Sequence, residues 1–247
     1  ETLINSITLA DMEGVPPVES TGQVRWFKRP TPGMTYLVSL DPSMGTGGDY
    51  AAIQVFELPT FEQVGEWHHN MTPMNQQVRI LQGINKHIHD TIIEKDSSAS
   101  PQIFYSMENN TIGEAALMRV MDIGEENIVG MFLSEPIRKG HRRKFRRGFN
   151  TTAKHKIDAC TKFKELIESG KMKINSQLLI SEMKDFVATG LSYKAKPGQH
   201  DDLVSSCLLM TRMMKVLADF DPKIFEKWTD RSSEMTTPMP IFGNFYG

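Results

Sequence analysis

A chain of 247 residues, 39% hydrophobic and 23% charged, can bury one core, with or without an elaborated flank. A formal net charge of -2 excludes attraction to polyanions by bulk charge, so such a partner must be met by a local patch. No apolar run approaches the roughly 20 residues of a membrane span, and no membrane partner is expected. Cys160 and Cys207 share no metal-ligand or redox spacing and are expected to be reduced thiols. Glu1 opens neither a signal peptide nor a start codon, and the chain reads as a soluble piece of a longer polypeptide.

In chain order, residues 1–34 form a lead-in, broken at Pro16 and Pro17, with a possible edge strand from Gly22 to Pro30. Thr35 to Asp41, Asp49 to Leu58 and Phe61 to His68 are β-rich; the short turn at Pro59 and Thr60 predicts a hairpin and, with the first strand, an antiparallel meander. Val78, Leu81, Ile84, Ile88 and Ile92 recur at helical spacing, predicting a helix from about Thr72 to Glu94. A strand from Gln102 to Glu108, a helix from Glu114 to Asp122 and a fifth strand from Asn127 to Phe132 follow. Three strands, helix, strand, helix, strand make an α/β class fold: a mixed sheet, antiparallel then parallel, with helices on its faces. Helical periodicity returns at 154–168 and 176–186; 187–199 reads as a loop or hairpin, and 201–217 as an apolar helix with Met210, Met213 and Met214 filling core gaps. Residues 35–218 are read as one domain and 219–247 as a tail.

Three acidic positions carry the chemistry. Asp41 and Glu108 each end a β-rich run, and the pair Asp201 and Asp202 opens the last helix. If the first and fourth core strands are neighbours, which a helical crossover permits, Asp41 and Glu108 lie side by side, and the last helix need only cross that edge. Crowded carboxylates repel unless a cation neutralises them, and hard oxygen ligands suit Mg2+ or Mn2+. Two such ions about 4 Å apart can activate a water and stabilise the leaving oxygen of a phosphodiester. The glycine-rich loop after Asp41 lacks the Gly-Lys-Ser/Thr ending of a P-loop. His68 and His69 could reach the same edge but are read as surface or core residues; His200 is a candidate water-orienting or phosphate-contacting group.

A second signal is the run from Arg138 to Lys156, which carries Arg138, Lys139, Arg142, Arg143, Lys144, Arg146, Arg147, Lys154 and Lys156 and no acid. A charged face that is merely solvated mixes signs, so this stretch is read as a polyanion surface in which Arg and Lys neutralise phosphates non-specifically.

The segments Leu40 to Tyr50, Met107 to Leu117 and Gln199 to Leu203 resemble the nuclease half of the large terminase subunit of myovirus-type tailed bacteriophages, in the RNase H-like superfamily of metal-dependent nucleases. The resemblance runs from about Thr35 to Leu217. It implies an RNase H-like fold and an endonuclease that cuts concatemeric viral DNA during packaging. Carried over, Asp41, Glu108 and Asp202 are the metal-binding catalytic acids, Asp201 is the rival for the third place, and Asp49 is an auxiliary acid. It further implies two Mg2+ or Mn2+ ions, an ATPase domain earlier in the same polypeptide, a portal protein and a small terminase subunit as partners, and work at the prohead in the host cytoplasm. One departure is that many related nucleases carry a further acid one turn into the last helix, where this chain has Ser205 and Ser206. A Holliday-junction resolvase or transposase of the same fold, or a non-catalytic DNA-binding module, shares part of the pattern. An actin-like nucleotide-binding module needs a second phosphate loop, which the chain lacks.

Overall fold

A computed structural model describes residues 1–136 and 147–220. The chain opens with α1 (Ser6–Asp11) and a short hairpin, β1 (Glu19–Thr21) and β2 (Val24–Trp26). The meander follows as β3 (Thr35–Asp41), β4 (Ala51–Leu58) and β5 (Glu62–His69). Next come α2 (Met74–Lys95), β6 (Gln102–Met107), α3 (Thr111–Ile123) and β7 (Met131–Phe132). After these lie α4 (Ala153–Glu168), α5 (Gln177–Asp185), the hairpin β8 (Phe186–Thr189) and β9 (Ser192–Ala195), and α6 (Asp202–Phe220).

Seven strands form one sheet in the order β1-β2-β5-β4-β3-β6-β7. β3, β4 and β5 pair antiparallel, while β6 and then β7 add parallel to β3. The expected edge strand is β2, which reaches the sheet through β5 and brings β1 with it. The expected fifth strand is shorter than its sequence pattern, because Glu125–Asn127 close into a 3-10 turn.

All eight residues of β4 are buried, as are the first six of β3, so both faces of the sheet are covered. The period-two alternation assigns each residue a face. Tyr36, Val38 and Leu40 of β3 pack with Ile53, Val55, Tyr105 and the apolar stripes of α2 and α3. Leu37, Ala52 and Phe56 pack on the other face with α4, α5 and α6, including Phe163, Ile180, Val204 and Met213. Each fully buried side chain of this size contributes about 1.5–3 kcal/mol. Among the described residues, no helix is long and apolar enough to cross a membrane.

Candidate metal centre

The alternation that puts Leu37 against α6 also aims Ser39 and Asp41 to that side, and in β6 it does the same for Glu108 after Phe104 and Ser106. Ser39 pairs with Ser106 and Leu40 with Met107 across the parallel ladder, and the Glu108 amide donates to the Leu40 carbonyl at 3.2 Å. Asp41 and Glu108 are therefore neighbours, and their carboxyl groups share a hydrogen bond. On the other side Asp41 registers with Ala52, and Ala52 with His68. One row across four strands thus reads Glu108, Asp41, Ala52, His68, with the small Ala52 as the only break between the acids and the imidazole.

Glu108 is held from behind. Asn110 caps α3 through the Gly113 amide at 2.8 Å. Gly113 sits so close to the Glu108 carbonyl that a Cβ there would lie 1.8 Å from the oxygen, so only glycine lets α3 begin at this point.

The third element is the start of α6. Asp202 lies with Glu182 and His68 in one set of ligand atoms, all within 4.8 Å of one another. Among the described residues this is the set of three that comes that close; Asp41 and Glu108 stand beside it as a pair. The Tyr50 backbone lies close enough to the Asp202 carboxylate to favour its charged form. The Tyr50 ring stacks on His68 at 4.0 Å between centroids, and His200 meets it edge-on at 4.9 Å. His200 is exposed, with Nδ1 3.6 Å from Asp202 Oδ2. Asp201 turns elsewhere: its Oδ2 accepts the Ala195 amide of β9 at 3.0 Å. Asp49 lies exposed on the glycine-rich loop, near enough to Asp202 to act on its charge. That loop is tied down: the buried Gln77 amide donates to the carbonyls of Ser43 and Thr72, both at 2.8 Å.

Glu182 is the residue that sequence reasoning missed. It lies on α5, and its Oε2 accepts the amides of Leu203 and Val204 at 2.9 and 3.1 Å, two of the donors left open at a helix start. His68, read as surface or core, is brought into the site as well. His69 is not: its Nδ1 contacts the Thr72 hydroxyl at 2.7 Å at the β5–α2 corner.

The electrostatics follow from crowding. Burial, and then the neighbouring Glu108, push the Asp41 carboxyl well above the usual range. Burial and the Asp201 charge push Asp202 up to about 6, and burial pushes Glu182 up to about 8 against the amides that it accepts. Burial, with Arg25 second, pushes His68 down to about 4. Among the described residues no Lys or Arg pairs with Asp41, Glu108 or Asp202. Acids this close without a cationic side chain suit a divalent cation, and the residues present fit one.

Of the expected DNA-contacting residues, Arg138, Lys139, Arg142, Arg143, Lys144 and Arg146 lie outside the described residues. Lys154 is exposed in the first turn of α4. Arg147 pairs with Glu125 and packs over the Phe132 ring at 5.1 Å.

The architecture is similar to the large terminase nuclease of thermophilic phage G20c with bound magnesium, at a TM-score of 0.62 and 18% identity over 85% of this chain and 96% of that one. It is also similar to the large terminase nuclease domain of Thermus phage P74-26, at 0.58 and 18% over 83% and 93%. The human cytomegalovirus terminase nuclease domain, Mn soaked with inhibitor bound, matches at 0.53 and 14% over 85% and 93%. At these identities the likeness establishes the fold, which is the expected RNase H-like one. The model of the terminase RNaseH-like domain matches residues 38–213, most of the chain and every element that carries the acidic row; the chain belongs to the terminase RNaseH-like domain family.

Proposed function

We propose that this chain is a divalent-metal-dependent endonuclease acting on double-stranded DNA, the nuclease module of a large terminase subunit that cuts concatemeric viral DNA during packaging. The observation that carries this reading is the Asp41–Glu108 pair on adjacent strands, sharing a hydrogen bond, with the Asp202 charge brought to it by α6. Mg2+ or Mn2+ ions held by Asp41, Glu108 and Asp202, two of them with DNA bound, would supply an activated water and neutralise charge on the leaving oxygen. Asp41 feels the charge of both other acids. Asp201 and Asp49 add negative charge around it. His200, exposed beside Asp202, is placed to contact a phosphate or orient water. The basic run holds the duplex by its backbone, which carries no base sequence, so cutting is largely sequence-independent. An ATPase domain of the same polypeptide, a portal and a small terminase subunit are the partners that this role requires, at a prohead in the host cytoplasm.

The test is cleavage of linear and branched duplexes with Mg2+ or Mn2+ against a chelator control. Asp41→Asn is expected to abolish cutting with the fold intact and a melting temperature no lower than that of the wild type. Metal-dependent cutting that survives in this variant would overturn the assignment, and a strong preference for branched DNA would favour a junction resolvase.

A further inference from the structure

We propose that His68, Glu182 and Asp202 form a separate cation position, selective for a borderline transition-metal ion of the Mn2+, Co2+ and Zn2+ group over Mg2+. It shares Asp202 with the reading above and rests on that reading only for this residue.

Separation in the sheet is the first argument. His68 lies two strands from Asp41, roughly 10 Å along the row at normal strand spacing, with Ala52 between them. The ligand atoms of His68, Glu182 and Asp202 lie within 4.8 Å of one another, and neither Asp41 nor Glu108 joins that set, so the row has two ends with different chemistry. The Asp41–Glu108 end offers only oxygen, and the other end offers one nitrogen and two carboxylates.

The state of the imidazole is the second. His68 Nε2 is shielded from solvent and has no hydrogen-bond partner. A buried ring nitrogen without a partner is costly. The nearest acid atom, Glu182 Oε1, is 3.8 Å away, beyond a hydrogen bond. Two donors each about 2.1 Å from one ion stand about 3–3.5 Å apart, so a shift of a few tenths of an ångström converts the gap into shared coordination.

The surroundings hold the ligands in place. Glu182 spends Oε2 on the Leu203 and Val204 amides, which leaves Oε1 facing His68. Tyr50 stacks on the His68 ring, and its backbone lies beside Asp202. Such second contacts orient ligands in metal sites. An imidazole with carboxylates favours borderline ions, whereas Mg2+ demands hard oxygen and keeps its waters.

The experiment titrates the 247-residue protein with Co2+, following visible absorption and heat, with and without excess Mg2+. The wild type is expected to bind one Co2+ that Mg2+ does not displace, and Asp41→Asn is expected to retain it. His68→Ala is expected to weaken that ion by at least about tenfold. Should His68→Ala melt early, His68→Gln preserves the bulk of the side chain and is expected to show the same loss. Wild-type affinity for Co2+ in a folded His68 variant, or loss of the Mg2+-resistant ion in Asp41→Asn, would overturn the site. Failure of the wild type to cut DNA would sink the nuclease reading and leave the cobalt result standing.

Discussion

Ser39 and Ser206 interlock: the Ser39 hydroxyl lies 2.9 Å from both the carbonyl and the hydroxyl of Ser206, and Ser206 Oγ donates to the Ser39 carbonyl at 3.1 Å. Both residues are fully buried. Ser39 is two residues from Asp41 and Ser206 is one turn beyond Asp202, so this contact sets the strand acid against the helix acid. A carboxylate at position 206 would be buried against β3, so the small hydroxyl suits this place. Ser39→Ala and Ser206→Ala are each expected to cost about 1–2 kcal/mol in urea unfolding. The double variant is expected to cost less than their sum, because each single change leaves the other hydroxyl partly unpaired. Strict additivity would show that the pair does not act as a unit.

Arg25 on β2 reaches the buried Glu66 carboxylate, which also accepts from Gln54, Gln63 and Ser176. Removing one partner of a buried ion pair typically costs 3–5 kcal/mol, because the remaining charge is stranded. Arg25→Met is therefore expected to destabilise by about that amount, and Arg25→Met with Glu66→Gln to recover much of it. A protein lacking residues 1–27 is expected to behave like Arg25→Met or worse in thermal melts, since it also loses β1 and β2.

The acidic row was legible because it rests on local pattern. Asp41 and Glu108 each end an apolar run, and alternation turns them to the same face once β3 and β6 are neighbours. Glu182 was not legible: α5 announces an amphipathic helix, but nothing local shows that it meets the start of α6, where the amides of Leu203 and Val204, 21 and 22 residues later, need an acceptor. His68 was ambiguous for a related reason, since one residue of register separates it from His69, which faces away. The fifth strand was overestimated because Ile128 and Val129 look β-prone, yet Gly130, at φ 103°, presses against the Ile103 carbonyl and leaves pairing only to Met131 and Phe132.

Cys160 and Cys207 are free and buried. Burial pushes the Cys160 thiol up to about 11 and Cys207 well above its ordinary value. A raised acid keeps its proton in the folded state at a pH where the unfolded chain has lost it. The contribution to stability is thus fully present below the ordinary value of 9.0 and is lost as pH rises toward 11. Cys160→Ala is expected to flatten the fall in stability over that window by about 2–3 kcal/mol, read as a slope so that the small cavity cancels. Native protein at pH 8 is expected to resist iodoacetamide until denaturant is added; rapid alkylation would show that the packing over these thiols opens.

Asp201 and Asp202 are adjacent but differently employed. The Asp201 carboxylate accepts the Ala195 amide and its carbonyl accepts the Ser205 amide, so it fastens the β8–β9 hairpin to α6. Asp202 lies beside His200 and faces His68, Glu182 and the Asp41 charge. Asp202→Asn removes the charge that a cation would meet while keeping the shape, and is expected to abolish cleavage and raise the melting temperature of the metal-free protein, because it relieves repulsion. Asp201→Asn retains an acceptor oxygen and is expected to keep a measurable fraction of activity, whereas Asp201→Ala loses the hairpin tie and is expected to speed hydrogen exchange at Ala195. Equal loss of cleavage in both asparagine variants, with unchanged exchange in Asp201→Ala, would return Asp201 to the set of metal ligands.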